Sequence, residues 1–174
     1  MKTLAAGIEL VRVHHARFEP VEFDVPRRLP YGRPVIPTLY ASLDAAAAIA
    51  EALLHDVPDA GNLPRAALRD RRLSRLRTPR ELRLIALDDR ALVDAPASAY
   101  RTTADAAEAL HDATPDADGI VWASRRFPAH DAFVLFGDRV GVLHVVDGPL
   151  ALDHGPGLDL AEDVAMRAGV GLLF

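Results

Sequence analysis

With 174 residues, half of them apolar and 26% charged, the chain has the size and composition of one folded globular domain rather than of a disordered segment. Its 25 acidic residues outnumber 20 basic ones, giving a net charge of −5, which argues against a general nucleic-acid-binding face but leaves room for a locally cationic pocket. The absence of cysteine excludes disulfides, iron–sulfur clusters, thiolate zinc sites and thiol catalysis.

The opening stretch, MKTLAAGIELVRVHH, has an apolar run broken at Glu9 and Arg12, unlike the uninterrupted core of a signal peptide. No segment approaches the ~20 apolar residues of a membrane span, so a cytoplasmic protein with no membrane attachment is expected. Residues 8–14 alternate β-branched and charged side chains and predict a strand carrying Arg12. Residues 18–38 hold Pro20, Pro26, Pro30, Pro34 and Pro37 around the Arg27–Arg28 pair; proline removes backbone donors, so this reads as an ordered, functional loop. VIPTLYA (35–41) predicts a short strand ending at Tyr40, followed by Ser42 as N-cap of a helix over LDAAAAIAEALLHD. Asp44, Glu51 and His55 fall on one stripe of that helix. They fit a solvent face; the apolar character of the rest of the helix equally fits burial, with Glu51 turned to a cleft or a partner charge.

Further on, the arginine-rich stretch 64–77 reads as a short helix and linker with a solvated face. ELRLIAL (81–87) alternates as a strand, and Thr102 or Thr103 is expected to cap a helix over 103–113. GIVWAS (119–124) predicts a buried strand ending at Ser124, followed by Arg125 and Arg126. AFVLF (132–136) and RVGVLHVV (139–146) predict a hairpin about Gly137–Asp138. Gly155–Pro156–Gly157 reads as a turn before a helix from about Leu158 to Arg167, and VGLLF as an edge strand. Strands outnumber helices without regular alternation, which predicts an α+β fold in a single domain spanning 1–174.

No glycine-rich nucleotide loop, GxSxG elbow, HExxH or EF-hand loop is present. His14 and His15 are adjacent on a strand and point to opposite faces, so no metal site is expected from them. Arg12, Arg28, Arg33, Arg125 and Ser124 each fit an ordinary surface role when taken alone.

Taken in order, LVRVHHARFEPVEF (10–23), RRLPYGRPVIPTLYAS (27–42), LDAAAAIAEALL (43–54), YRTTADAAEALH (100–111) and DGIVWASRRF (118–127) resemble the RES domain, a family named for its Arg, Glu and Ser. The resemblance runs from about residue 8 to 140. It implies a split-sheet fold similar to ADP-ribosyltransferases and cleavage of NAD⁺ at the nicotinamide–ribose bond by phosphorolysis or hydrolysis. NAD⁺ is then substrate and inorganic phosphate a co-substrate, with no resident cofactor. It further implies a toxin neutralised by a small helical antitoxin, without direct nucleic-acid binding by this chain, and a homodimer is compatible with it. Transfer of ADP-ribose to a macromolecule and a non-catalytic interaction module are the alternatives. Carried over by position, the family residues fall on Arg12, Arg28, Tyr40, Glu51 and Ser124, with Arg125 beside the serine. Catalysis is expected from Glu51, Arg28 and Tyr40, and NAD⁺ or phosphate contacts from Arg12, Arg28, Tyr40, Ser124 and Arg125. Many family members have glycine before the second arginine and an aromatic after it; Arg27–Arg28–Leu29 departs from this, and Arg27 or Arg33 can take that place.

Overall fold

The structure, a computed structural model, describes residues 1–24, 36–96 and 99–173. In chain order the elements are β1 (Lys2–Leu4), β2 (Glu9–His15), β3 (Thr38–Ser42) and α1 (Ala45–Ile49), which runs on into a π-helical turn over Ala50–Leu54. After β4 (Asn62–Pro64) and a 3₁₀ turn (Arg65–Leu68) come β5 (Arg71–Arg77), β6 (Leu82–Ala86), α2 (Arg90–Val93) and α3 (Tyr100–Ala113). The chain continues with β7 (Gly119–Ala123), β8 (Asp131–Phe136), β9 (His144–Ala151), α4 (Gly155–Arg167) and β10 (Gly171–Leu173). Eight strands form one sheet in the order β1-β6-β7-β8-β3-β2-β5-β9, antiparallel except for β6 beside β7, and β10 pairs with β4 in a small parallel ladder. The fold is α+β, as the unalternated strands predict.

Strand alternation sorts the side chains onto two faces. Leu10, Leu39, Ala41, Leu76, Leu84, Val121, Phe133 and Leu135 share one core, closed over by Val140 and Leu143 from the loop after β8. The other face is covered in two places. Val11 and Leu73 pack beneath α1, the π-turn and α4, whereas Ile120, Val134 and Phe136 pack beneath Ala107 and Leu110 of α3. Between these helical covers the register aligns Tyr40 with Val134 and Ile120, and Tyr40 remains 53% exposed. Along the same line β2 and β3 are joined by the single pair Val11–Ser42, against seven pairs between β2 and β5. An uncovered strip of sheet thus lies between two helical layers.

Several sequence expectations change. Residues 71–77 form an inner strand between β2 and β9 instead of a helix, because Leu73 and Leu76 face opposite cores while the arginines reach out at the ends and faces. The hairpin about Gly137–Asp138 does not form. β8 is already flanked by β3 and β7, Gly137 N–H donates to the Pro37 carbonyl, and the next strand crosses to pair with β5. The first helix is capped by Asp44 rather than Ser42, and switches to π geometry at residue 50 instead of continuing regularly. β3 runs to Ser42, two residues past Tyr40. α3 begins at Tyr100 with Ala99 at its N-cap and no side-chain cap, so neither Thr102 nor Thr103 caps it. Gly155–Pro156–Gly157 is the first turn of α4, preceded by His154 at the N-cap. Among the described residues no helix is long and apolar enough to cross a membrane.

Candidate active site

The connection from β3 into α1 is tightly fixed. The Ser42 hydroxyl donates to the Asp131 carbonyl at 2.6 Å and accepts from the Asp44 N–H, while the Asp44 carboxylate accepts from Ala46 N–H (2.8 Å) and Ala47 N–H (3.2 Å). These bonds set the helix entry angle over β3. The π-turn then carries Glu51 on its first winding; such turns reorient side chains that a regular helix would place elsewhere. From the opposite side, Trp122 and Ser124 leave β7 on one face, two residues apart. The pairings Ser42–Ala132 and Ala132–Trp122 put Trp122 on the face that also bears Tyr40.

Four groups converge on the Glu51 carboxylate, whose side chain is 16% exposed. Oε1 accepts from the Ser124 hydroxyl at 2.7 Å and from the Arg125 N–H at 3.1 Å; Oε2 accepts from the Trp122 indole N–H at 3.3 Å and lies 3.8 Å from His55 Nδ1. Burial is the largest single influence and pushes the carboxyl upward. His55, Ser124, the Arg125 N–H and Trp122 together outweigh it and hold the group below its ordinary 4.5, so Glu51 is an anion at neutral pH. His55 Nε2 donates to the Ala95 carbonyl at 2.9 Å, which leaves Nδ1 facing the carboxylate. That contact raises the imidazole above its ordinary 6.5 against the opposing effect of burial.

The segment Ser124–Arg125–Arg126 holds the helix end as well as the carboxylate. Arg125 donates from its guanidinium to the His55 carbonyl at 3.2 Å, and Arg126 donates to the Val57 carbonyl and pairs with Asp59 at 2.7 Å. Cations at a helix C-terminus satisfy its orphan carbonyls and complement its negative dipole end. The ring of Tyr40 stands edge-on to Trp122, centroids 6.4 Å apart at 70°, forming an aromatic corner next to Glu51.

Of the residues singled out from sequence, Tyr40, Glu51, Ser124 and Arg125 are brought together. Arg12 is not: alternation along β2 turns it away from Val11's face, and its guanidinium is buried against the carbonyls of Pro20 (2.9 Å) and Glu22, 3.9 Å from Asp24. There it ties down the chain leading toward residue 25. Arg27, Arg28 and Arg33 lie outside the described residues. Sequence reasoning passed over Trp122 altogether and treated His55 only as part of a polar stripe. The available signals were the two-residue spacing of Trp122 and Ser124 on one strand and the four-residue spacing of Glu51 and His55 on one helix. Among the described residues no group of three or more His, Asp or Glu side chains is placed to hold a metal.

Two outcomes follow from this geometry. Ser124→Ala removes a short hydroxyl–carboxylate bond from a fully buried position, worth about 1.5–3 kcal/mol. If Glu51 does the chemistry, turnover should fall about tenfold to a hundredfold with the fold retained, which steady-state kinetics beside circular dichroism will show. For pH, Glu51 is depressed, so its contribution to stability is present above 4.5 and lost as pH falls through its lowered value. His55 is raised, so its contribution is full below 6.5 and lost as pH rises through its higher value. The pair therefore stabilises most between about 4.5 and 6.5. Thermal unfolding of His55→Gln should show less loss of stability above pH 6.5 than the wild type; identical pH slopes would refute the coupling.

The comparisons with known proteins agree with this architecture. The RES domain family model matches residues 9–153, and the chain belongs to that family. No curated protein matches. Among solved structures, the chain is similar to one in the "Crystal structure of the M.tuberculosis MbcT-MbcA toxin-antitoxin complex", with a TM-score of 0.57 and 15% identity over 94% of this chain and 92% of that one.

Proposed function

We propose that this RES-domain chain degrades NAD⁺ by breaking the nicotinamide–ribose bond, and that it is the toxin of a toxin–antitoxin pair. The observation that carries the reading is the Glu51 carboxylate, kept ionised by four converging groups beside the exposed Tyr40–Trp122 corner. When the C1′–N bond breaks, its electron pair leaves with nicotinamide and positive charge builds on the ribose. An anion held in a partly desolvated site stabilises that charge without reorganising. Oε1 accepts two hydrogen bonds and Oε2 one, from the Trp122 N–H with His55 Nδ1 3.8 Å away, so Oε2 is the oxygen with a lone pair left for the ribose. Water or inorganic phosphate then adds at C1′, giving ADP-ribose or its 1-phosphate.

Tyr40 offers a flat apolar surface to the base. Ser124 and the Arg125 N–H serve by holding the carboxylate, since both are already given to Glu51. Recognition of the pyrophosphate or of attacking phosphate falls to Arg28, or to Arg27 or Arg33 near it, because a guanidinium fork suits phosphate oxygens. Arg12 holds the Pro20 and Glu22 carbonyls and takes no place at the carboxylate. The similarity to a chain of a toxin–antitoxin complex supports a protein antitoxin as partner; that it is small and helical is part of the proposal and follows from the family resemblance alone.

The test is to incubate the purified chain with NAD⁺, with and without inorganic phosphate, and to identify the products by mass spectrometry. Release of nicotinamide together with ADP-ribose, or with its phosphorylated form when phosphate is present, is expected. ADP-ribose covalently attached to protein would favour macromolecular transfer instead, and undiminished NAD⁺ would refute the enzymatic reading.

A further inference from the structure

His55 closes the π-turn four residues after Glu51, and its ring is engaged on both sides. Nε2 lies 2.9 Å from the Ala95 carbonyl, in the segment between α2 and α3, and Nδ1 lies 3.8 Å from Glu51 Oε2. A carbonyl can only accept, so the Ala95 bond fixes a hydrogen on Nε2. The nitrogen left to take up or release a proton is therefore Nδ1, the one turned to the carboxylate. At 3.8 Å this contact is an ion pair rather than a hydrogen bond, so a proton on Nδ1 acts on Glu51 through its charge. The His55 side chain is 24% exposed, enough to exchange protons with solvent. Cations nearby are engaged elsewhere: Arg125 donates to the His55 carbonyl, Arg126 pairs with Asp59, and Arg90 pairs with Asp94 next to Ala95. Asp56 favours the imidazolium, as Glu51 does.

We propose that His55 is a positioning residue that acts through Glu51: it anchors the end of the π-turn to Ala95, and the proton on Nδ1 sets how much negative charge Oε2 offers to the ribose. This deepens the reading of the site as NAD⁺-cleaving and rests on it. With Nδ1 protonated, a cation stands beside the carboxylate oxygen that faces the ribose and opposes the positive charge that builds there. With Nδ1 unprotonated, the charge on Oε2 is undiminished. Cleavage is therefore slow below the pH at which His55 loses its proton and fast above it. The contact with Glu51, working against burial, raises that pH above the ordinary 6.5. The pH range in which the pair stabilises the fold most is thus the range in which the site works slowest.

The test is the pH dependence of NAD⁺ cleavage between about pH 5.5 and about pH 8.5. In the wild type kcat/KM, which reports the free chain, should rise about tenfold with its inflection above 6.5. His55→Gln keeps a donor for the Ala95 carbonyl but has no titrating nitrogen, so its profile should be flat and near the upper limit of the wild type. His55→Lys puts a fixed cation beside Glu51 and should be flat near the lower limit. A residue needed only for packing would lower the whole profile in both variants without changing its shape. That result would overturn the proposal, as would a rise that persists in His55→Gln. If neither variant folds, heteronuclear NMR of the wild-type ring decides: the neutral form must carry its hydrogen on Nε2, and a hydrogen on Nδ1 would overturn the proposal. Cleavage with a profile independent of His55 removes this inference alone and leaves the functional reading intact. Absence of NAD⁺ cleavage by the wild type at every pH would remove both.

Discussion

Glu51→Gln should reduce turnover several hundredfold, an increase in barrier of about 3–4 kcal/mol, while leaving a folded protein. The carboxylate accepts from three hydrogen-bond donors and faces His55 besides, whereas a carboxamide has one accepting oxygen and an N–H₂ that can only donate. With its oxygen kept on Ser124 and the Arg125 N–H, the amide would turn its own donors toward the Trp122 N–H and His55. With the amide reversed, the Arg125 N–H would lose its acceptor. Either orientation leaves a donor facing a donor, so a stability loss of about 1–3 kcal/mol accompanies the loss of charge. Unfolding should therefore shift down by about 3–10 °C but remain cooperative. Wild-type-like NAD⁺ consumption by this variant would remove Glu51 from the chemistry. A fall in melting temperature with unchanged turnover would make the carboxylate a packing element only.

The second large effect concerns Gly157→Ala. Although Gly157 sits in the first turn of α4, where alanine normally favours helix, an added Cβ would lie 1.8 Å from the Ala151 carbonyl oxygen and 2.8 Å from its carbon. Backbone atoms cannot yield as a flexible side chain would, so α4 must lift from the end of β9. Ala161, Val164 and Ala165 of α4 are buried in the core that also contains Ile49, Ala50 and Leu54, so the shift propagates to the turn carrying Glu51. A loss of about 3 kcal/mol or more is expected, with melting lowered by ~6–12 °C and activity reduced in parallel. The contrast is Gly155→Ala two residues earlier, where φ is +58° but the Cβ meets open space; only about 1 kcal/mol of backbone strain is expected there. Thermal melts of the two variants side by side decide the matter: equal destabilisation would show that helix–strand contact at Gly157 is not limiting.

What the sequence by itself determined was the ordered series of chemical groups and the class of fold. The α+β class was legible because Glu9–His15, Leu82–Ala86 and Gly119–Ala123 carry local strand patterns, and the alanine-rich stretch beginning near residue 45 carries a helical one. Tyr40, Glu51 and Ser124 were legible as a set only through their resemblance to the RES series, since helical periodicity left Glu51 equally suited to solvent or to a cleft. Tertiary structure alone decided three further matters. It made Arg71–Arg77 an inner strand, because β2 and β9 offered ladders on both edges and outweighed the charged composition. It separated Arg12 from the site, because a strand reverses face at every residue and the Pro20 and Glu22 carbonyls claimed the guanidinium. It also gave Glu51 its charge state and its neighbours. Trp122 and Ser124 lie more than seventy residues away in sequence, and only the placement of the end of β7 opposite the π-turn brings their donors to one carboxylate. Local pattern reports which face of an element is apolar; it does not report which distant polar atom will meet a given one there, and that meeting fixes the chemistry of this site.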